Sequence, residues 1–328
     1  VPLERNAIAL EHVKEMFRRY GREMPPNHEK QADVPKGAEI LANRKGTAPG
    51  FALALGPGLL IVLPGVPSEM VAMLDESVDA RLSRGGFFAE RPRLERFRVF
   101  GISESGLQDL CRAQGEPPPG TAVRFRVDDG EIELDFLLPR ASPAESHRIL
   151  DEYVARLEKA LGIHVVARER TTLLEWVARR LIADGRTLAV AESCTGGLLG
   201  HYLTEIPGIS AVFLEDAVTY SNDAKVRRLG VAPALLETHG AVSEEVVRAM
   251  AMGAREAAGA ELGLATSGVL GPSGGSESKP VGLVWTALAT SDGVTSWRRE
   301  FPGDRSFKKI LAAKHALDRL RRHLLGVG

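Results

Sequence analysis

The sequence predicts an α/β protein of more than one domain, on three observations. From residue 171 onward, short apolar runs ending in glycine and hydroxyl residues alternate with segments of helical periodicity. In the middle of the chain, two alternating strand patterns meet at Asp128-Asp129-Gly130, a strong hairpin turn, between two helical patterns. The length of 328 residues also leaves room for about two or three hydrophobic cores.

Taken in order, residues 7 to 20 place Ile8, Leu10, Val13, Met16, Phe17 and Tyr20 on one helical face, and Met24-Pro25-Pro26-Asn27 ends that helix. The chain opens Val1-Pro2-Leu3-Glu4 without an initiator methionine, and no strand is predicted before this helix; it reads as a piece whose start lies upstream. Lys36-Gly37, Asn43 to Gly46 and Pro49-Gly50 punctuate a hairpin-like region. Residues 51 to 54 and 59 to 63 read as strands. The second runs through Pro64-Gly65-Val66-Pro67 into a helix, a strand-to-helix loop of the kind that holds ligands in open α/β sheets or serves only as a turn.

Residues 84 to 93 are rich in Arg, Gly and Pro and read as a linker. Beyond them come a strand at 94 to 100, a helix at 104 to 111, the hairpin strands at 122 to 127 and 132 to 138, a helix at 144 to 161 and a short strand at 165 to 166. This is a small α+β unit. Arg91, Arg93, Arg96, Arg98, Arg124 and Arg126 make it locally basic, but acidic residues interleave, so a solvated strand face is preferred to an RNA surface.

Thr171 or Thr172 caps a helix that stops at Gly185. Strands at 188 to 191, 212 to 220, 262 to 267, 282 to 290 and 294 to 301 then alternate with helices starting at Gly196, Asn222, Ser243 and Asp304. A compact α/β domain follows.

Composition narrows the function classes. The formal net charge is -1 and 26% of residues are charged, so no global basic field recruits nucleic acid. The two cysteines, Cys111 and Cys194, lie far apart and show no metal-ligand spacing, which fits a reducing cytoplasm. No apolar run is long enough to span a membrane and no signal peptide opens the chain.

Four stretches carry chemistry. In the first, residues 188 to 199, an apolar run breaks at Glu192-Ser193-Cys194-Thr195-Gly196-Gly197 and resumes at helical spacing. Such a turn frees backbone N–H groups that welcome negative charge, and holds a serine at the rim of a sheet. Otherwise Ser193 or Thr195 merely caps the helix. In the second, a strand ends at Tyr220, Asn222 suits an N-cap, and Lys225 falls in the first helical turn. The helix dipole and partial burial there both disfavour a charged lysine, and a neutral one can take a proton from a serine hydroxyl; a surface lysine is the alternative. In the third, Thr266-Ser267-Gly268 to Gly275, hydroxyls and glycines let backbone approach a ligand, or form a flexible loop. In the fourth, Arg305 stands at a helix start as a phosphate clamp or surface ion pair, while Asp304 caps that helix. Together they favour attack by a hydroxyl on an anionic small molecule. No histidine lies beside Ser193 or Lys225, which disfavours a Ser-His-Asp triad; His201 and His239 read as packing or surface residues.

Six motifs in order carry a resemblance. They are Ala191-Glu192-Ser193-Cys194-Thr195-Gly196-Gly197; Tyr220-Ser221-Asn222 with Lys225; His239-Gly240-Ala241-Val242-Ser243; Thr266-Ser267-Gly268 with Gly271-Pro272; Lys279-Pro280-Val281-Gly282; and Gly303-Asp304-Arg305. They resemble the C-terminal amidohydrolase domain of the CinA (competence/damage-inducible) family, over residues 169 to 328. Residues 1 to 83, with Gly46-Thr47-Ala48-Pro49-Gly50 and Pro64 to Glu69, are similar to the later half of a molybdopterin-cofactor-binding-like α/β domain. Residues 92 to 168 resemble a KH-like α+β linking domain.

The resemblance implies a nicotinamide mononucleotide amidohydrolase that needs no cofactor, with Ser193 as nucleophile and Lys225 as its base. Tyr220, Asn222, Thr195 and Gly196 would shape the amide site, Thr266, Ser267 and Gly268 would line it, and Arg305 would hold the 5′-phosphate. The same resemblance implies a homodimer with a small-molecule nucleotide substrate. The family's Gly-rich loop with its acidic residues is missing from the first domain, so a divalent metal enters only with a pyrophosphatase activity that those parts would supply. Leu270 stands where the family usually has alanine, a bulkier side chain that narrows the site or turns away from it.

Overall fold

The computed structural model describes residues 1–84 and 92–327 and divides the chain into two units, Val1–Arg91 and Pro92–Gly328. Most of the stretch predicted as a linker lies outside the described residues.

In the first unit a short strand β1 (Leu3–Arg5) precedes helix α1 (Ala7–Arg19), against the expectation of no strand there; it pairs antiparallel with β2 (Asp33–Pro35). Its three residues are all exposed, so hydrophobic patterning gave no sign of it. A three-stranded antiparallel sheet follows, β3 (Glu39–Leu41), β4 (Gly50–Leu55) and β5 (Gly58–Val62), then α2 (Pro67–Met73) and α3 (Asp79–Arg84). The loop after β3 closes on Asn43, whose side chain accepts from Gly46 N at 3.0 Å and donates to Glu69 of α2 at 2.7 Å.

The second unit begins with an antiparallel sheet of order β7 (Ala122–Asp128), β8 (Glu131–Leu138), β6 (Arg93–Val99), β9 (Val165–Ala167). Helices α4 (Glu104–Ala113) and α5 (Ala144–Leu161) cover one face, burying Phe97, Leu134, Phe136, Leu150 and Leu157. The hairpin turn falls where predicted, with positive φ at both Asp129 and Gly130.

The opposite face corrects the reading of a solvated strand face for β6, while Arg124 and Arg126 on β7 are exposed as read and Arg91 lies outside the described residues. Arg96 and Arg98 are buried, and alternating arginines on β6 meet alternating carboxylates on β8. Arg96 Nε donates to Asp135 at 2.6 Å and Arg98 Nε to Glu131 at 3.0 Å. Glu131 also accepts from Lys314 Nζ and from the backbone of Leu173, so this face is joined to the rest of the unit. Buried charges persist only when paired, and these are.

The remainder is a five-stranded sheet of order β11 (Phe213–Val218), β10 (Leu188–Glu192), β12 (Leu262–Gly268), β13 (Leu283–Thr290), β14 (Gly293–Glu300). β10 runs parallel to both neighbours; β13 and β14 return antiparallel. Helices α6 (Leu173–Asp184), α7 (Leu198–Thr204) and α11 (Arg305–Leu324) pack on one face. Helices α8 (Asn222–Leu229), α9 (Pro233–His239) and α10 (Glu244–Ala258) pack on the other. The fold is mixed α/β, as predicted. Thr172 rather than Thr171 caps α6, in a capping box with Glu175. Helix α9 was not foreseen; Pro233 at its first position was the available signal. Because β10, β11 and β12 are parallel, their C-terminal ends open on one crevice, where open α/β sheets bind ligands.

Candidate active site

β10 is buried throughout, and Ser193 is the first residue beyond its end. Its N–H donates to Thr266 O at 3.0 Å, fixing it to β12. The next residues turn through positive φ at Gly196 and Gly197, and α7 starts only at Leu198, two residues later than the predicted start at Gly196. Positive φ at two successive residues is easy only for glycine, which is what the Gly-Gly pair supplies. The N–H groups of Thr195 and Gly196 have no acceptor among the described residues.

β11 ends one strand away, and the chain turns at Thr219-Tyr220 into α8. Ser221, not Asn222, caps that helix: its hydroxyl accepts from Ala224 N at 3.1 Å. Asn222 becomes the first helical residue and lines a separate cavity of about 730 Å³ between α8 and α9, with Asp223, Val226 and Leu236. It does not line the cleft at Ser193, contrary to expectation. One residue's change of cap decides this, because it turns the Asn222 side chain to another side of the helix.

The same helix carries Lys225 inward. It is 1% exposed, and its Nζ donates to Ser193 Oγ at 3.1 Å, to Thr219 O at 2.7 Å and to Tyr220 O at 3.4 Å. Burial, one of the two causes read from the sequence, pushes its pKa down. Cys194 beside it is buried, and burial pushes its thiol up to about 12, so the thiol stays protonated and unreactive at neutral pH.

The cleft has a volume of about 250 Å³ and is lined by Ser193, Cys194, Tyr220, Lys225, Ser267, Gly268 and Arg305, together with the loop from Val269 to Ser273. Arg305, first residue of α11, spans its mouth: Nη1 donates to Gly271 O at 2.6 Å and Nη2 to the Tyr220 hydroxyl at 3.1 Å. Tyr220 is 64% exposed, so its ring belongs to the rim and its hydroxyl lies at Arg305 rather than at the Ser193–Lys225 pair. Asp304 caps α11 through Phe307 N, as expected. Thr195 and Thr266 are fully buried and share a 2.7 Å hydroxyl–hydroxyl bond beneath the turn, outside the cleft lining. Among the described residues no three His, Cys, Asp or Glu side chains gather into a metal-holding group. No described helix is long and apolar enough to cross a membrane.

A family model for the CinA C-terminal domain matches residues 170–324. A CinA-like protein of Geobacter metallireducens is 44% identical over 324 residues, 98% of this chain and 78% of that protein. The chain belongs to the CinA family. A CinA-like protein of Anaeromyxobacter dehalogenans is similar at 40% identity over 323 residues, again 98% of this chain and 78% of that one. A solved CinA superfamily protein from Klebsiella pneumoniae is 38% identical over 47% of this chain and 96% of its own, with a TM-score of 0.46.

Ala241, Val242 and Lys279 had no role assigned from sequence in this CinA-family cleft. Ala241 and Val242 form one wall, hung in place by Ser267, which donates to Ala241 O at 2.7 Å. Lys279 reaches the same loop through His239 O at 2.5 Å. Ser267 is thus a wall-holding residue that also lines the cleft. Leu270 is buried against Cys194, Val284, Phe301 and Ala312, so its bulk anchors the loop in the core.

Proposed function

We propose that the chain hydrolyses the carboxamide of nicotinamide mononucleotide to nicotinate mononucleotide and ammonia, with Ser193 as nucleophile and Lys225 as base. The observation that carries this reading is the 3.1 Å contact between a buried lysine amine and a serine hydroxyl in a polar cleft. A neutral amine has two N–H bonds and one lone pair. In that form the carbonyls of Thr219 and Tyr220 take the N–H bonds, and the contact to Ser193 Oγ, a donation while the amine is charged, reverses so that the lone pair meets the hydroxyl proton.

The reaction then runs in two halves. Ser193 Oγ attacks the amide carbon while Lys225 takes its proton, and negative charge collects on the former carbonyl oxygen. Of the turn's two unpartnered N–H groups, that of exposed Gly196 is the donor we assign to this oxyanion, since Thr195 is fully buried. Lys225 returns the proton to the amide nitrogen, which leaves as ammonia. Water, deprotonated by Lys225, attacks the resulting ester; Ser193 Oγ leaves, taking that proton back from Lys225, and the acid is freed. Arg305 uses two of its N–H groups on Gly271 and Tyr220, and its remaining donors serve the substrate phosphate.

The test is ammonia release from nicotinamide mononucleotide without added metal, by the parent chain and by Ser193→Ala. Release by the parent alone supports the reading. Release by both removes Ser193 from the mechanism, and release by neither, with both folded, removes the activity.

A further inference from the structure

The turn bearing Ser193 is fastened from behind by two carboxyl groups that the Ser193–Lys225 chemistry does not use. Glu192, the last residue of β10, is wholly buried. Its Oε2 accepts from Gly197 N at 3.0 Å and its Oε1 from Gly200 N at 2.9 Å. Both oxygens are therefore committed to backbone at the far end of the turn and in the first turn of α7. One side chain closes the loop 193–197 onto the strand from which it left.

Asp216 lies on the neighbouring strand at the register position of Val190, on the same sheet face as Glu192, and both carboxyls meet α7 at Gly200, whose N–H Glu192 accepts. It packs so closely on Gly200 that any Cβ there would overlap it, and its Oδ1 is buried with no partner among the described residues. Two buried carboxyls that meet at one glycine are eased by a proton held between them, since two bare carboxylates so placed repel in a medium that screens poorly. We propose that Glu192 and Asp216 are positioning residues that act as one proton-sharing pair, holding the Ser193 turn in its working shape only while the shared proton is present. The inference rests on Ser193 being the nucleophile.

The acceptor duty of Glu192 toward two N–H groups leaves the proton on Asp216. Burial first, and then the charge and hydrogen bond of Glu192 and the charge of Glu215, push Asp216 up to about 8. Those two carboxyls are the groups acting on it from β10 and β11; Arg228 of α8 engages Glu215 at 3.3 Å. α7 offers Asp216 the backbone of Gly200, and its His201 is exposed. Loss of the proton sets two charges against each other at the foot of the turn.

The experiment is amide hydrogen exchange of Gly197 and Gly200 in the full chain from pH 6 to 9.5, corrected for the intrinsic rate, with kcat measured alongside. Protection should fall by about tenfold or more as pH passes through 8 in the parent. In Asp216→Asn, whose amide donates to Glu192 at every pH, it should persist, and any alkaline fall in kcat near pH 8 should move upward or vanish. Unchanged protection across pH 8 in the parent overturns the proposal, and that reading needs no variant to fold. An equal loss in Asp216→Asn also overturns it. Protection that switches in a chain without amidase activity supports the paired carboxyls and refutes the proposed reaction instead.

Discussion

Arg305 Nη2 donates to the Tyr220 hydroxyl at 3.1 Å, joining the start of α11 to the end of β11 across the mouth of the cleft. The two residues are 85 positions apart, and their contact puts a cation at the rim while the Ser193–Lys225 pair lies inside. If the cation binds phosphate, Arg305→Ala raises KM for nicotinamide mononucleotide about 10- to 100-fold, the worth of a charge-assisted hydrogen bond. The unphosphorylated riboside should hardly notice. Steady-state kinetics on both substrates check this, and equal losses on both would sink the clamp.

Tyr220→Phe removes one acceptor from Arg305 and leaves Gly271 O in place. The hydroxyl is outside the reacting centre, so KM should rise about twofold to fivefold with kcat nearly constant. A fall in kcat of about a hundredfold would move Tyr220 into the chemistry.

Lys225→Ala should lower kcat by about a thousandfold or more, the scale of losing an activating base. The pH profile gives a second reading of the same residue. Burial holds the amine below the ordinary lysine range, and the base works only when neutral. Activity should therefore rise with pH and level off well before pH 10.5, the unperturbed lysine value. A plateau reached only above that pH would contradict a buried base.

Cys194 is the neighbour that could be mistaken for the nucleophile. With its thiol pushed up to about 12, alkylation at pH 7 should be slow and should not track loss of turnover. Mass spectrometry of the alkylated chain alongside an activity assay decides between the two residues.

The Ser193 and Lys225 positions were legible in the sequence because each follows a strand that breaks at hydroxyl residues, with a glycine pair as well after Ser193. What local pattern left open was register. Ser221, Asn222 and Asp223 are all good caps, and only the three-dimensional turn gives the role to Ser221. The arginines of β6 show a different limit. Alternating charge along one strand reads as solvated, and becomes a buried ion-pair face only when β8 is aligned beside it, with Glu131, Glu133 and Asp135 in matching alternation. Asp216 drew no notice because a single acid within a predicted strand has no local signature; its meaning comes from Glu192 on the next strand.

Glu131 offers the sharpest test of how the middle sheet is tied to the domain that carries the cleft. Its fully buried carboxylate accepts from Lys314 Nζ at 2.5 Å, Arg98 Nε at 3.0 Å and Leu173 N at 3.0 Å. These donors come from α11, β6 and the start of α6, so one side chain knots three elements. Glu131→Ala leaves two cations and a backbone donor buried without their acceptor, at a cost of about 3–5 kcal/mol. Glu131→Gln keeps the shape and one acceptor oxygen, and should cost less. Because Lys314 and Arg305 share α11, loosening this knot should also raise KM for the phosphorylated substrate before kcat changes. Chemical denaturation of the full chain, with kinetics below the transition, checks both parts. A Glu131→Ala chain as stable as its parent would show that the buried charges find other partners.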